Sequence, residues 1–278
     1  MNEVGFNNKF VELQSRYQAL LEESAKQIEL YTHLVSIVGP NIKSRYMILI
    51  GQFEHRVYEL KTEISRWKRR FTLHQKALNR REKPDFVIIE AELDNEFSQY
   101  IETVKKHIQE VKEASVVLHS AKVSPEETAE IRAAYFEAVK KLHPDINPDL
   151  PDGAKNLWNH IRDAYENEDW EDVKYLSGLV DSVINGQKTF VASADGMAEL
   201  EASIAKLEAK CRELSEKLAV LKTRPPFTYE ELLADDTRVE ERRKQLFAQI
   251  KALEDIIKEY QKLWKNDKRP HDSHRQLA

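Results

Sequence analysis

Apolar residues recur at alternating intervals of four and three along much of this chain, and that spacing limits what it can fold into more than any other feature. The first stripe runs Phe6, Phe10, Leu13, Tyr17, Leu20, Tyr31, Leu34 and Val38. A second runs Ile42, Tyr46, Leu49, Phe53, Val57, Leu60, Ile64, Trp67, Phe71 and Leu78, and a third Ile89, Leu93, Phe97, Tyr100, Val104, Ile108, Val111 and Leu118. This period holds the residues on one side of a helix, where a partner helix has to cover them. Breakers are sparse, with 7 Gly and 9 Pro in 278 residues, so turns are few. Gly39-Pro40 is expected to end the first helix, because Pro offers no backbone donor and Gly accepts left-handed geometry. "NRREKPD" is expected to end the second, which at 1.5 Å per residue reaches on the order of 55 Å, and Asp85 reads as the N-cap of the third. Long helices with exposed stripes are marginal alone, so these three are expected to fold back antiparallel.

The C-terminal part repeats the pattern. Leu200, Ile204, Leu207, Cys211, Leu214, Leu218 and Leu221 form one seam, and Leu246, Ile250, Leu253, Ile257, Tyr260 and Trp264 another, separated by the proline-containing "TRPPFTYEELLADD". Two matched helices around such a break point to an antiparallel coiled-coil hairpin. The fold class expected is therefore all-α, in three consecutive parts: a long-helix bundle over 1–114, a small compact module over 115–186, and the coiled-coil hairpin with a polar tail over 187–278.

Composition excludes several functions. Charged residues make up 33% of the chain and balance to a net charge of -5, which is not the profile of a nucleic-acid binder. A single cysteine, Cys211, rules out disulfide frameworks within one chain and fits a reducing compartment. The N-terminus lacks the basic and apolar regions of a signal peptide, and no apolar run reaches a membrane span of roughly 20 residues. A cytoplasmic protein without a membrane segment is expected. No paired carboxylates, triad, phosphate loop or zinc-protease signature is present, so neither an enzyme nor a cofactor or metal is expected. His271 and His274 in the tail offer at most weak chelation, and Cys211 at a seam position reads as a buried thiol. The stretch Arg66 to Lys83, basic with interleaved aromatics, is either a phosphate-contacting patch or, as the acidic remainder of the chain favours, the solvated face of a long helix.

The middle segment has a different texture. "VSPEE" carries the marks of a helix start: Ser124 as N-cap, Pro125 in the first turn and Glu127 completing a capping box. Ile131, Ala134, Tyr135, Ala138, Val139 and Leu142 then line one helical face. The helix has to stop before Pro144, since the residue ahead of a proline is pushed out of helical geometry, so His143 and Asp145 project from a loop. A second helix follows, with Leu157, Trp158, Ile161 and Tyr165 on its inner face. "WEDVKYLSGLVDSV" is expected to form another, with Trp170, Val173, Leu176 and Val180 inward.

"EIRAAYFEAVKKLHPDINPD" followed by "AKNLWNHIRDAYE" resembles a J domain, the DnaJ-type co-chaperone module. His143-Pro144-Asp145 stands at the loop after the family's helix II, and Trp158 and Ala164-Tyr165-Glu166 match its helix III pattern. The resemblance covers roughly residues 115 to 180. It implies binding to a DnaK-type chaperone and stimulation of the ATPase of that partner, through His143, Pro144 and Asp145 together with the basic residues Arg132, Lys140 and Lys141. Proline restricts the loop, so less entropy is lost on docking. The family's first-helix Tyr-x-x-Leu-Gly signature is missing from "SVVLHSAKVS", and the long third helix is expected to supply its packing. Phe136 and Glu137 stand where the family often carries Lys or Arg. No Gly/Phe-rich linker or CxxC repeat follows the module. The flanking coiled coils are expected to bind a client, anchor the protein or drive homo-oligomerisation. The alternatives are a structural scaffold with an architectural J-like module, and a nucleic-acid binder using Arg66 to Lys83.

Overall fold

The 4-3 stripes do form helices, but they choose other partners than sequence order suggests. In the computed structural model, which describes residues 3–119, 123–184 and 190–267, no strand occurs among the described residues. The elements are α1 (Glu3–His33), a π-helical turn (Leu34–Val38), α2 (Gly39–Tyr46), a second π-helical turn (Met47–Gly51) and α3 (Gln52–Asn79). They continue with α4 (Phe86–Glu96), α5 (Ser98–His119), α6 (Pro125–Leu142), α7 (Asp152–Glu166), α8 (Trp170–Gly178) and α9 (Val180–Val183). The chain closes with α10 (Ala194–Lys222), a 3-10 turn (Phe227–Tyr229), α11 (Glu230–Leu233) and α12 (Asp236–Asp267). None of these helices is long and apolar enough to cross a membrane.

Two compact units form, one from residues 1–42 and 121–228, the other from 43–120 and 229–278. The three consecutive parts expected from the sequence are thus distributed over both. In the first unit, α1 and α10 lie side by side and parallel. Lys9 pairs with Glu201 at 2.9 Å, Arg16 pairs with Glu208, and Gln27 meets Ser215 at 3.1 Å. The seam between them is built from Phe10, Tyr17, Leu21 and Ile28 of α1 with Leu200, Ile204, Leu207 and Leu214 of α10. Cys211 is buried there, as expected, with its Sγ 3.1 Å from Ser24 Oγ.

The second unit repeats the arrangement. α3 runs parallel to α12, with Phe53 on Phe247, Arg56 bonded to Glu254 at 3.2 Å, Ile257 packed with Leu60 and Ile64, and Trp67, Phe71 and His74 around Trp264. The expected C-terminal hairpin therefore gives way to two separate parallel pairings, in which α10 and α12 each take a partner from the N-terminal part of the chain. A heptad seam fixes which face is apolar but carries no label for strand direction; here the flanking ion pairs set it. The expected antiparallel packing of the second and third stripes is realised: Arg70 reaches Glu90, Arg66 reaches Asp94, and His55 stacks on His107. Asp85 caps α4 as predicted, accepting from the backbone N–H of Val87 and Ile88.

Gly39-Pro40 does not end its helix. The chain passes from the π-helical turn straight into α2, and the Gly39 N–H reaches back to the Leu34 carbonyl. A π-turn widens the ladder by one residue, and the wider ladder accommodates a proline that a tight α-turn would reject.

Candidate functional site

α6 begins as its sequence dictates. Ser124 accepts from the Glu127 N–H at 3.1 Å, and Glu127 returns the bond to the Ser124 N–H at 3.0 Å, with Pro125 at the first position. One face of the helix buries Ile131, Tyr135, Ala138, Val139 and Leu142. α7 runs back along it, burying Ala154, Leu157, Trp158, Ile161 and Tyr165. Tyr135 stacks on Tyr165 with ring centroids 3.9 Å apart and tilts against Trp158 at 5.8 Å, which sets the two helices antiparallel. α8 and α9 close the side, with Val173 and Val180 buried and Trp170 and Leu176 partly so. The packing that the sequence assigns to the long third helix comes instead from α1. Tyr17, Leu21, Ala25 and Ile28 enter the same core as Ile131 and Tyr135, and His33 Nδ1 meets the Tyr165 hydroxyl at 3.0 Å. Aromatic and aliphatic residues facing α6 are the requirement, and α1 meets it with Tyr17 of the first stripe together with Leu21, Ala25 and Ile28, which lie outside that stripe.

The His-Pro-Asp turn between α6 and α7 is tightly built. His143 caps α6 in extended geometry, at φ -68° and ψ 126°, and its N–H donates to the Val139 carbonyl. Its own carbonyl accepts from the N–H of Ile146 at 3.2 Å and of Asn147 at 2.9 Å, and Asn147 Nδ2 donates to the Lys140 carbonyl at 2.9 Å. The Asp145 N–H donates to His143 Nδ1 at 3.1 Å, which places that nitrogen in its acceptor form. The imidazole packs edge-on against Trp158 at 4.9 Å. Burial, opposed by the Asp145 charge and aided by Lys210 and Arg162, pushes the His143 pKa down to about 4. His143 is thus the inner, neutral member of the turn, while Pro144 and Asp145 face outward.

The charged residues that sequence reasoning grouped around this turn are not one free surface. Asp145 Oδ2 lies 2.6 Å from Lys210 Nζ of α10; the lysine side chain is 19% exposed and the aspartate 46%. Burial works against the Asp145 charge, yet the bond from Lys210 and the positive charge nearby outweigh it and hold the carboxyl below its usual range. Arg132 turns toward α1 and forms a two-pronged pair with Glu29, Nε to Oε1 at 2.7 Å and Nη2 to Oε2 at 3.0 Å, with the Glu29 side chain 8% exposed. Lys141 pairs with Asp181 at 2.6 Å on the opposite side of the helix. Lys140, half-buried, lies near Glu22 of α1, whose carboxyl is held below its usual range by its bond to Lys26 and by the Lys26 charge, with a small further contribution from Lys140. His143, Pro144 and Asp145 are therefore brought together, with Lys210 as a fourth member that sequence reasoning missed, whereas Arg132, Lys140 and Lys141 spread over separate neighbours.

Three of the eight cations between Arg66 and Lys83 are spent inside their own unit, and the other five lie exposed. Arg70 holds Glu90 with two bonds of 2.6 and 2.8 Å and sits 4.2 Å over the Trp67 ring. Arg69 grips Glu96 and Glu92, and Arg66 bridges Glu90 and Asp94. Three cations facing the acidic side of α4 are poor phosphate ligands, which favours the structural reading of this stretch. His271 and His274 lie outside the described residues. Comparison with known proteins finds no matching family model, curated protein or solved structure.

Proposed function

We propose that this protein is a co-chaperone of the J-domain type, which recruits a DnaK-type chaperone and stimulates its ATPase through His143, Pro144 and Asp145. One observation carries the reading: a His-Pro-Asp turn at the end of one helix, with its His fixed against an aromatic of the returning helix and its Pro and Asp turned outward. The turn performs no bond chemistry. It presents a preorganised hydrogen-bonding edge, and a loop already held by its own bonds loses little entropy on docking. A docking partner has to take over Asp145 from Lys210, so the exchange of one ion pair for another is built into association. The parallel helix pairs serve as the frame that carries a client site or an anchor. The test is the steady-state ATPase of the DnaK-type proteins of the same host, with and without this chain. Stimulation is expected from the native chain and is lost with His143→Gln; no stimulation of any of them removes the proposal.

A second reading, a helical scaffold whose J-like module is architectural, is favoured by the internal ion pairs of Arg132, Lys141 and Asp145. It requires that His143→Gln leave every bound partner unchanged in a pull-down from the host.

A further inference from the structure

In the second unit, two histidines from different helices meet face to face. His55 of α3 and His107 of α5 stack with ring centroids 3.9 Å apart and an interplanar angle of 13°, and Tyr58 packs edge-on against His107 at 5.7 Å. Glu110 stands one helical turn beyond His107, on the same face of α5. One nitrogen or oxygen from each of His55, His107 and Glu110 lies within 4.8 Å of the other two. The Nδ1 atoms of both histidines are buried, and neither has a hydrogen-bond partner among the described residues. A buried polar nitrogen without a partner is unfavourable, and two at one spot call for a shared ligand.

We propose that His55, His107 and Glu110 bind one divalent transition-metal ion of the Zn2+ class, which clamps α5 onto α3. Two imidazole nitrogens and one carboxylate oxygen are a donor set for such an ion and a poor one for Ca2+ or Mg2+, which demand oxygen. Zn2+ bonds of about 2.0–2.2 Å set tetrahedral donors about 3.4 Å apart; the three donors, all within 4.8 Å of one another, close in by at most about 1.4 Å, and the two stacked rings turn so that their in-plane lone pairs converge on the ion. Three protein donors leave a fourth position for water or for a donor from a partner. The carboxylate offsets half of the ion's charge in a half-buried setting. The inference is independent of the co-chaperone reading.

The test is titration of the full metal-free chain with ZnCl2, followed by calorimetry and by thermal unfolding. One saturable equivalent and a raised melting temperature are expected, because an ion bound only by the folded state stabilises it by mass action. His107→Gln removes that equivalent, Glu110→Gln weakens it by about tenfold or more, and His271→Gln/His274→Gln leaves it intact. Should His107→Gln fail to fold, the imidazole nitrogen resonances of the native chain decide: on Zn2+ addition those of His55 and His107 shift. Absence of saturable binding, unchanged affinity in folded His107→Gln, or shifts confined to other histidines overturns the proposal.

Discussion

Lys210 of α10 lies 2.6 Å from Asp145, the outermost acid of the His-Pro-Asp turn. Both side chains retain solvent contact, so the pair contributes up to about 1 kcal/mol. Lys210→Ala is therefore expected to leave the fold intact and to free Asp145 for a partner. If the turn docks a DnaK-type chaperone, half-maximal stimulation moves to lower concentration of the variant, by up to about fivefold. A titration of ATPase rate against protein concentration reads the shift. An increase in the required concentration places Lys210 in the docking surface itself.

The His143 imidazole sets a pH dependence. Its folded-state pKa is about 4, below the roughly 6.5 of an unfolded histidine. Between these values the unfolded chain binds the proton and the folded one does not, so stability falls as pH drops from about 6.5 towards 4. Urea midpoints at pH 7 and pH 5 are expected to differ more in the native chain than in His143→Gln. Equal differences refute the assignment of this slope to His143.

Arg132 and Glu29 join α6 to α1 through a carboxylate that has almost no access to water. Arg132→Ala strands that carboxylate, at a cost of about 1–3 kcal/mol. Glu29→Gln/Arg132→Ala, which removes both charges, is expected to recover part of the loss. Chemical denaturation of the native chain, Arg132→Ala, Glu29→Gln and the double variant closes the cycle; a double variant no more stable than Arg132→Ala contradicts it.

The parallel pairing of α1 with α10 can be trapped covalently. Ser24 Oγ and Cys211 Sγ are 3.1 Å apart, so Ser24→Cys is expected to form a disulfide with Cys211 within one chain under mild oxidation. Non-reducing electrophoresis and intact mass distinguish that product from a crosslinked dimer, which would assign the seam to two chains.

How much of this was legible in the sequence follows from the range over which each signal acts. The Ser124 capping box, the end of α6 before Pro144 and the inward faces of α6 and α7 depend on neighbours within a few residues, and all are found except that Ala134 of the α6 face is only partly buried. The seam of α10 was equally visible, with Leu200, Ile204, Leu207 and Leu214 buried as spaced. The partner of that seam was not visible, because a heptad offers the same apolar stripe to any other heptad. The Glu29–Arg132 pair spans 103 positions, and no local pattern tells an arginine destined for a buried carboxylate from one left for a partner protein. For the same reason Arg132, Lys140 and Lys141 read as one basic face. The His55–His107 stack escaped notice because its two members sit on separate helices whose antiparallel register is a tertiary fact.

Both ends of the first unit are far apart in order of synthesis. α1 leaves the ribosome well before the α10 side chains that cover its buried face. At elongation rates of about 5–20 residues per second the delay is roughly 10–40 seconds. Throughout that interval Phe10, Tyr17, Leu21 and Ile28 lack the cover that α10 gives them in the finished fold.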